Sequence, residues 1–279
     1  EVVGELKVGA SVTAEGVHGK TPRGFDEFVT SKLIVIGNSD DDFPIQPKAH
    51  GFDFLRTIPE QRGRTKTFRA IWKIRHRLTQ AIHSVLDSEG FIQYYTPILT
   101  TADCEGAGEV FEVKSDWLSA GLTVSGQLHG EVGMMSLGRI YTFSPCFRAE
   151  KSTTRKHLSE FWMIEPEMAF CDLEDDMNVA EAFIKYIIQY VMDNNKNDLE
   201  VLDQRLIEEE KQKPQQERSE LGLIEKLKLV LNNPFERITY TEAIDILQTS
   251  TPYKKKKFQY LVDKWGVDLQ SEHERYLVE

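Results

Sequence analysis

The sequence predicts a mixed α+β fold, in which antiparallel strands are flanked by helices and a small β unit comes first. Three observations support this prediction. The first 40 residues contain segments rich in Val, Ile and Thr between glycines and a proline. An amphipathic helical pattern starts at Thr67, and two strand-like segments around a charged loop then indicate an antiparallel hairpin.

The β unit consists of two predicted strands, residues 8–15 and 27–36. Two strands expose too much edge to be stable alone. They either pack on the next domain or belong to a small barrel whose earlier strands are missing, and we favour the barrel, as a partial domain over residues 1–45. Residues 46–60 have the composition of a hinge, so we place a domain of residues 61–279 after it.

The larger domain begins with a predicted helix from Thr67 to Gly90, because its apolar residues recur every three or four positions. A strand over residues 91–99 follows, with Pro97 near its end. The predicted hairpin pairs residues 138–143 with residues 160–167, and Asp172 opens a further helix. Residues 194–235 are charged and resemble a solvated helical insertion, and the lysines at 254–257 resemble a solvated turn.

Composition excludes several classes of protein. The net charge of −11 argues against nucleic-acid binding through the overall field, although residues 56–77 are locally basic. The three cysteines form no close Cys/His pair, so no metal site is assigned and no disulfide framework is suggested. No apolar run is long enough to span a bilayer, and we expect a cytoplasmic protein without a membrane partner.

A candidate nucleotide site lies in the predicted hairpin. Arg148 can orient a phosphate through its planar fork of donors, and Arg155 or His157 can meet the distal phosphates. Phe161 offers a ring on which a base can stack. A surface hairpin held by salt bridges would explain any one of these residues, but their combination at this spacing favours a nucleotide site.

These residues also carry a resemblance to a known family. The segment FRAEKSTTRKHLSEFWMIEPE resembles the second signature motif of class II aminoacyl-tRNA synthetases, and it is most similar to the asparaginyl group. Residues 90–97 resemble the first motif, and CEGAGEVF, LTVSGQL, IYTFSPCFRAE and WGVDLQSEHERYLVE are further similar stretches. The resemblance covers roughly residues 45–279 and implies a class II antiparallel sheet, preceded by part of an anticodon-binding OB barrel.

The resemblance implies a role for each matching residue around ATP. Arg148 would contact the α-phosphate and stabilise the transition state, and Glu150 would hold the adenine amino group. His157 would lie toward the β- and γ-phosphates, and Phe161 would stack on adenine. Magnesium would bridge the phosphates, with one or two carboxylates completing its shell.

The resemblance also implies an amino-acid pocket. Glu105 would face the ammonium group, and Ser125 and Gln127 would line the pocket. Glu165 is our candidate acceptor for the side-chain amide, since a carboxylate attracts an N–H donor and repels a second carboxylate. A simple charge pair on the strand is the alternative for Glu165. For Glu167, metal contact and structural pairing stay equally open.

The function implied is ATP-dependent attachment of asparagine to tRNA(Asn) through an adenylate, by a homodimer with Pro97 at its seam. No Gly-rich segment ending in Glu-Arg resembles the third motif, so we expect a C-terminally incomplete catalytic domain. The alternatives are an aspartyl-tRNA synthetase, a related ammonia ligase that makes asparagine, and a non-catalytic paralogue that binds RNA or a protein partner. The intact Arg148, Glu150, His157 and Phe161 oppose the last.

Overall fold

The structure is a computed structural model, which describes residues 4, 6–102, 104, 109–151, 157–215, 218–219 and 221–278. It divides into two compact units, Glu1–Lys228 and Leu229–Glu279. The division falls inside the range predicted as a charged insertion. The barrel, hinge and insertion boundaries stay predictions.

The described chain is mixed α and β. The strands are β1 (Ser11–Lys20), β2 (Asp26–Gly37), β3 (Ile92–Gln93), β4 (Leu99–Thr100), β5 (Glu112–Lys114), β6 (Ser119–Leu122), β7 (Arg139–Phe147) and β8 (Glu160–Met168). The helices are α1 (Phe52–Thr57), α2 (Lys66–Ser88), α3 (Gln127–Leu137), α4 (Leu173–Asn194), α5 (Lys196–Gln212), α6 (Leu223–Asn232), α7 (Tyr240–Thr249), α8 (Thr251–Lys254) and α9 (Ser271–Val278). None of the helices in the described ranges is long and apolar enough to cross a membrane.

The described strands form three small sheets. β1 and β2 pair in an antiparallel hairpin. β7 and β8 pair antiparallel along nine residues each, and β3 joins β7 in parallel, which gives the order β3-β7-β8. β4, β6 and β5 form the third sheet. The hairpin predicted around the charged loop is therefore present, and it is longer than predicted.

The prediction of one continuous strand over residues 91–99 is wrong. It is split into β3 and β4, which belong to different sheets. Pro97 lies between the two pieces and has no N–H with which to continue a ladder. Pro97 is exposed there.

The core of the first unit lies between the β7–β8 hairpin and two helices. Ile82, Val85 and Leu86 of α2 pack with Phe91 and Tyr141. The partly buried side chains against this cluster come from the hairpin and α4, namely Phe143, Ile164, Met168, Val179, Phe183 and Ile187. The Asp172 side chain caps α4 in a reciprocal capping box with Asp175, as its sequence predicts.

Helix α5, within the predicted insertion, packs against the body of the first unit. Leu199 is buried, and Asp198 forms an ion pair of 3.4 Å with Lys73 of α2. The Arg205 guanidinium lies 4.1 Å from the centre of the Phe52 ring and donates to the His50 carbonyl at 3.2 Å. These contacts fix the segment that leads into α1.

The second unit has a separate small core. Ile244, Leu247 and Val262 are buried together. His273 is almost fully buried, where Nδ1 accepts from the Gln270 N–H at 2.9 Å and Nε2 lies 2.9 Å from the Tyr260 carbonyl oxygen. Both ring nitrogens are therefore used within the fold, with the proton on Nε2.

Candidate active site

One face of the β7–β8 hairpin gathers the predicted site residues. In the strand register Thr142 lies opposite Glu165, and Cys146 lies opposite Phe161. Because side chains alternate between the two faces of a strand, these four residues share a face, and the apolar core occupies the other. Glu165 lies four positions after Phe161, which is about 13 Å along an extended strand.

Glu165 occupies one end of this face, and its carboxylate is held by three donors. The Ser125 hydroxyl donates to Oε1. The Gly126 N–H donates to Oε2 at 3.0 Å, and the Thr142 hydroxyl donates to the same oxygen at 2.6 Å. The side chain is 8% exposed, and a buried carboxylate is tolerated only where such donors replace water.

Three glycines bring helix α3 close enough to supply the Gly126 donor. A Cβ at Gly126 would lie 2.8 Å from Thr142 Oγ1, and one at Gly133 would lie 2.9 Å from the Tyr94 ring. A Cβ at Gly130 would lie 3.3 Å from the Ile140 side chain. The helix therefore starts directly against the carboxylate, where its dipole also favours a negative charge.

The two residues beside Gly126 differ in their contacts. Ser125 is buried, and its hydroxyl accepts from the Gln127 N–H at 3.0 Å while donating to Glu165. The Gln127 side chain donates from Nε2 to Glu131 Oε1 at 3.0 Å, one helical turn further on. In the structure Ser125 therefore contacts Glu165, whereas the side-chain amide of Gln127 is bonded to Glu131 of the same helix.

Arg148 and Phe161 occupy the other end of the face. The Arg148 guanidinium carbon lies 5.4 Å from the centre of the Phe161 ring, a cation–π contact. The backbone N–H of Arg148 donates to the Ser159 carbonyl at 3.1 Å, so the antiparallel pairing of the hairpin continues one residue beyond β7. Within the described residues the buried Nε of Arg148 has no hydrogen-bond partner. Arg148 thus covers the predicted adenine platform and keeps donor capacity for an anion.

The remaining predicted site residues lie around the connecting loop or outside the described ranges. Glu150 and His157 are both exposed at the two described ends of that loop. Arg155 and Glu105 lie outside the described residues. No group of three or more His, Cys, Asp or Glu side chains in the described part of the chain is arranged to hold a metal ion.

Sequence reasoning missed two residues at the Glu165 end, Thr142 of the hairpin and Gly126 at the start of α3. Both contact Glu165 directly. It also missed Cys146, a fully buried thiol whose pKa burial raises to about 11, with a further contribution from the Glu165 charge. The hairpin register would have found Thr142 and Cys146, because it places them opposite Glu165 and Phe161.

The antiparallel hairpin carries an arginine, an aromatic ring and a buried carboxylate on one face and two helices on the other, which is the arrangement expected of a class II synthetase. The chain belongs to the family described as tRNA synthetases class II (D, K and N), whose model matches residues 60–279. The family resemblance and the α+β fold predicted from the sequence are thus confirmed.

Curated relatives include the asparagine–tRNA ligase of Desulfotalea psychrophila, which is 46% identical over 289 residues. The asparagine–tRNA ligase of Microcystis aeruginosa is 43% identical over 293 residues. Both alignments cover 100% of this chain, and they cover 60% and 61% of the two relatives. The chain therefore spans about three-fifths of the length of these relatives.

Solved structures of asparaginyl-tRNA synthetases are also similar to this chain. The asparaginyl-tRNA synthetase of Pyrococcus horikoshii, complexed with asparaginyl-adenylate, superposes with a TM-score of 0.80 at 32% identity, over 99% of this chain and 58% of that one. The asparaginyl-tRNA synthetase of Entamoeba histolytica, also with asparaginyl-adenylate, has a TM-score of 0.75 at 20% identity, over 99% of this chain and 59% of that one. The second likeness shows the fold alone.

Proposed function

We propose that the full-length protein containing this chain attaches asparagine to tRNA(Asn), using ATP and an asparaginyl-adenylate intermediate. The observation that carries the proposal is the buried Glu165 carboxylate on the same hairpin face as Arg148 and Phe161. The named activity of the curated relatives and the adenylate bound by the P. horikoshii enzyme support it.

In the first step, an oxygen of the asparagine carboxylate attacks the α-phosphorus of ATP, and pyrophosphate leaves. We assign Arg148 to the α-phosphate, where its guanidinium stabilises the charge that develops in the transition state. For this, Arg148 moves from its position over Phe161, and the ring becomes available to adenine. Glu150 holds the adenine amino group, and Arg155 and His157 meet the distal phosphates.

In the second step, a 3′-terminal hydroxyl of the tRNA attacks the acyl carbon of the adenylate, and AMP leaves. Neither step needs a covalent bond to the protein. The contribution of the chain is therefore positioning and electrostatic stabilisation of the reacting groups.

The amino-acid end of the face selects an amide over a carboxylate. Glu165 accepts an N–H of the asparagine side chain and repels the carboxylate of aspartate. Ser125 and Gln127 line this end, and Glu105 faces the ammonium group. The bonds from Ser125, Gly126 and Thr142 give Glu165 a fixed orientation before substrate binds.

Mg²⁺ enters this proposal together with ATP. A nucleotide-borne magnesium is held mostly by phosphate oxygens and needs only one or two protein carboxylates. Glu167 is placed on the same hairpin face, opposite Ile140, and is our candidate for such a carboxylate. When bound, the ion neutralises phosphate charge.

The proposal includes a homodimer, with Pro97 at the seam, and a cytoplasmic location. Pro97 is exposed between β3 and β4, which is compatible with a position at an interface. The size of the full-length protein by light scattering, with and without Pro97→Ala, tests the dimer.

The experiment that tests the function is ATP/pyrophosphate exchange on the full-length protein with asparagine, with aspartate, and with neither. Exchange with asparagine alone is the expected result. Exchange with aspartate would move the assignment to an aspartyl-tRNA synthetase. Nucleotide binding without exchange would favour a non-catalytic paralogue.

A further inference from the structure

The two carboxylate oxygens of Glu165 accept different numbers of hydrogen bonds. A carboxylate offers about four acceptor positions, two on each oxygen. Oε2 receives two donors, the Gly126 N–H and the Thr142 hydroxyl. Oε1 receives the Ser125 hydroxyl. Counting donors from the described residues, one acceptor position remains, and it is on Oε1.

The position of Thr142 keeps its hydrogen bond to Glu165 Oε2 in place. It is fully buried on β7, directly opposite Glu165. A β-branched side chain has few χ1 rotamers, so its hydroxyl is held in place by the strand itself. The start of α3 confines it further, since a Cβ at Gly126 would lie 2.8 Å from Thr142 Oγ1 and 3.0 Å from Glu165 Oε2.

We infer that Thr142 is a positioning residue for amide selection: its hydroxyl anchors Glu165 Oε2 and so reserves the remaining acceptor position of Oε1 for one N–H of the substrate side chain. This inference rests on the proposed function, and it deepens it by assigning the selective contact to one oxygen. Thr142 acts through Glu165 and makes no contact with the substrate.

The loss of the Thr142 hydroxyl has a specific consequence. Oε2 then keeps one protein donor, as Oε1 does, and the carboxylate can turn about its terminal torsion, which is broad in glutamate. The acceptor position for the amide is then shared between two oxygens in several orientations. Asparagine loses affinity, whereas ATP, which meets the far end of the face, does not.

The decisive experiment compares Thr142→Val and Thr142→Ser in the full-length protein by asparagine-dependent ATP/pyrophosphate exchange. Thr142→Val removes the hydroxyl at nearly constant shape, and we expect KM for asparagine to rise about tenfold, the usual effect of losing one hydrogen bond to a charged group. KM for ATP and kcat should change less than about twofold on the same reasoning. Thr142→Ser keeps the hydroxyl and should restore most of the asparagine affinity.

A matched control removes a threonine hydroxyl that lies outside the site. Thr249→Val in α7 deletes a hydroxyl that bonds the Asp245 and Ile246 carbonyls, and it should leave all three constants unchanged. Thermal unfolding of each variant checks that it is folded. If Thr142→Val does not fold, Thr142→Ala provides the same test, because it also removes the hydroxyl that donates to Glu165 Oε2.

The outcomes separate the inference from the function. Normal asparagine exchange in the unaltered protein, with unchanged KM for asparagine in folded Thr142→Val, overturns the inference and leaves the function standing. A Thr142→Ser variant that is folded yet as impaired as Thr142→Val also overturns it, because the hydroxyl would not be the cause. If the unaltered protein shows no asparagine-dependent exchange, both the inference and the proposed function are overturned.

Discussion

The two ends of the hairpin face are built differently. At the Glu165 end, the carboxylate is buried and bonded to two hydroxyls and one backbone N–H. At the Arg148 end, the guanidinium rests on Phe161, its Nε has no partner among the described residues, and Glu150 and His157 are exposed. We therefore expect one end to be preorganised by the fold, and the other to be completed when a ligand displaces an internal contact.

This difference matches what the two proposed substrates require. A neutral amide offers little binding energy, so its discrimination from a carboxylate depends on polar groups that are already oriented. ATP carries several negative charges and binds cations strongly, so its site can afford to rearrange. Perturbing each end separately tests the comparison.

The largest effect should come from Arg148→Ala. Removing a cation that stabilises the transition state lowers kcat by about 10²–10³-fold, and more if phosphate binding is lost as well. Asparagine-dependent ATP/pyrophosphate exchange measures it, with Arg148→Lys as the partner variant, which keeps the charge and loses the planar fork. Full exchange by a folded Arg148→Ala would remove this residue from the site.

The next effect should come from Glu165→Gln. The amide that replaces the carboxylate no longer repels aspartate and also offers a donor of its own, so discrimination should fall by about tenfold or more. The ratio of kcat/KM for asparagine to that for aspartate measures the change. An unaltered ratio would place amide recognition elsewhere in the full-length protein.

A smaller effect should follow from Phe161→Ala. Loss of base stacking costs about 1–3 kcal/mol, so KM for ATP should rise about tenfold, while KM for asparagine stays unchanged. Phe161→Tyr keeps the aromatic face and serves as the control. Equal changes in both KM values would contradict the separation of the two ends.

The smallest effect concerns Cys146, which lies opposite Phe161 in the hairpin. Because burial raises its pKa from 9.0 to about 11, the folded protein keeps the thiol neutral at pH values where the unfolded chain forms a thiolate. The folded state therefore loses stability relative to the unfolded state as pH rises from about 9 to about 11.

Iodoacetamide labelling at pH 8, located by mass spectrometry, should modify the partly exposed Cys171 and spare Cys146 until the protein is unfolded. Rapid modification of Cys146 in the folded protein would show that this part of the face opens to solvent. Cys146→Ser, compared with Cys171→Ser, controls for general effects of substitution.

Helices α2 and α4 and the hairpin were predictable because local patterns determine them, whereas α3 was not predicted. The apolar spacing in α2 and the aspartates before α4 match the structure to within a few residues. The strand over residues 91–99 was not predictable as two pieces, because its split depends on pairing with two separate sheets. The barrel, hinge and insertion boundaries stay predictions.

The site was predictable to the extent that residue type carries the chemistry. Arg148 and Phe161 were predicted from their types and spacing, and Glu165 from the family resemblance. The structure places all three on one face, and their roles stay predictions. Thr142 is an ordinary residue for a strand, and Gly126 is an ordinary residue at a helix start. Their contacts with Glu165 depend on strand register and on the approach of α3, which are tertiary properties.

The glycines of α3 also constrain how this chain can change. A side chain at Gly126, Gly130 or Gly133 would meet the hairpin or Tyr94 within 3.3 Å, so the helix would have to lift or the neighbours would have to move. Such a displacement carries the Gly126 N–H away from Glu165. In a saturation-mutagenesis screen for growth dependent on this protein, Gly126 and Gly133 should therefore tolerate alanine less well than Gly130, where only the end of the Ile140 side chain has to yield.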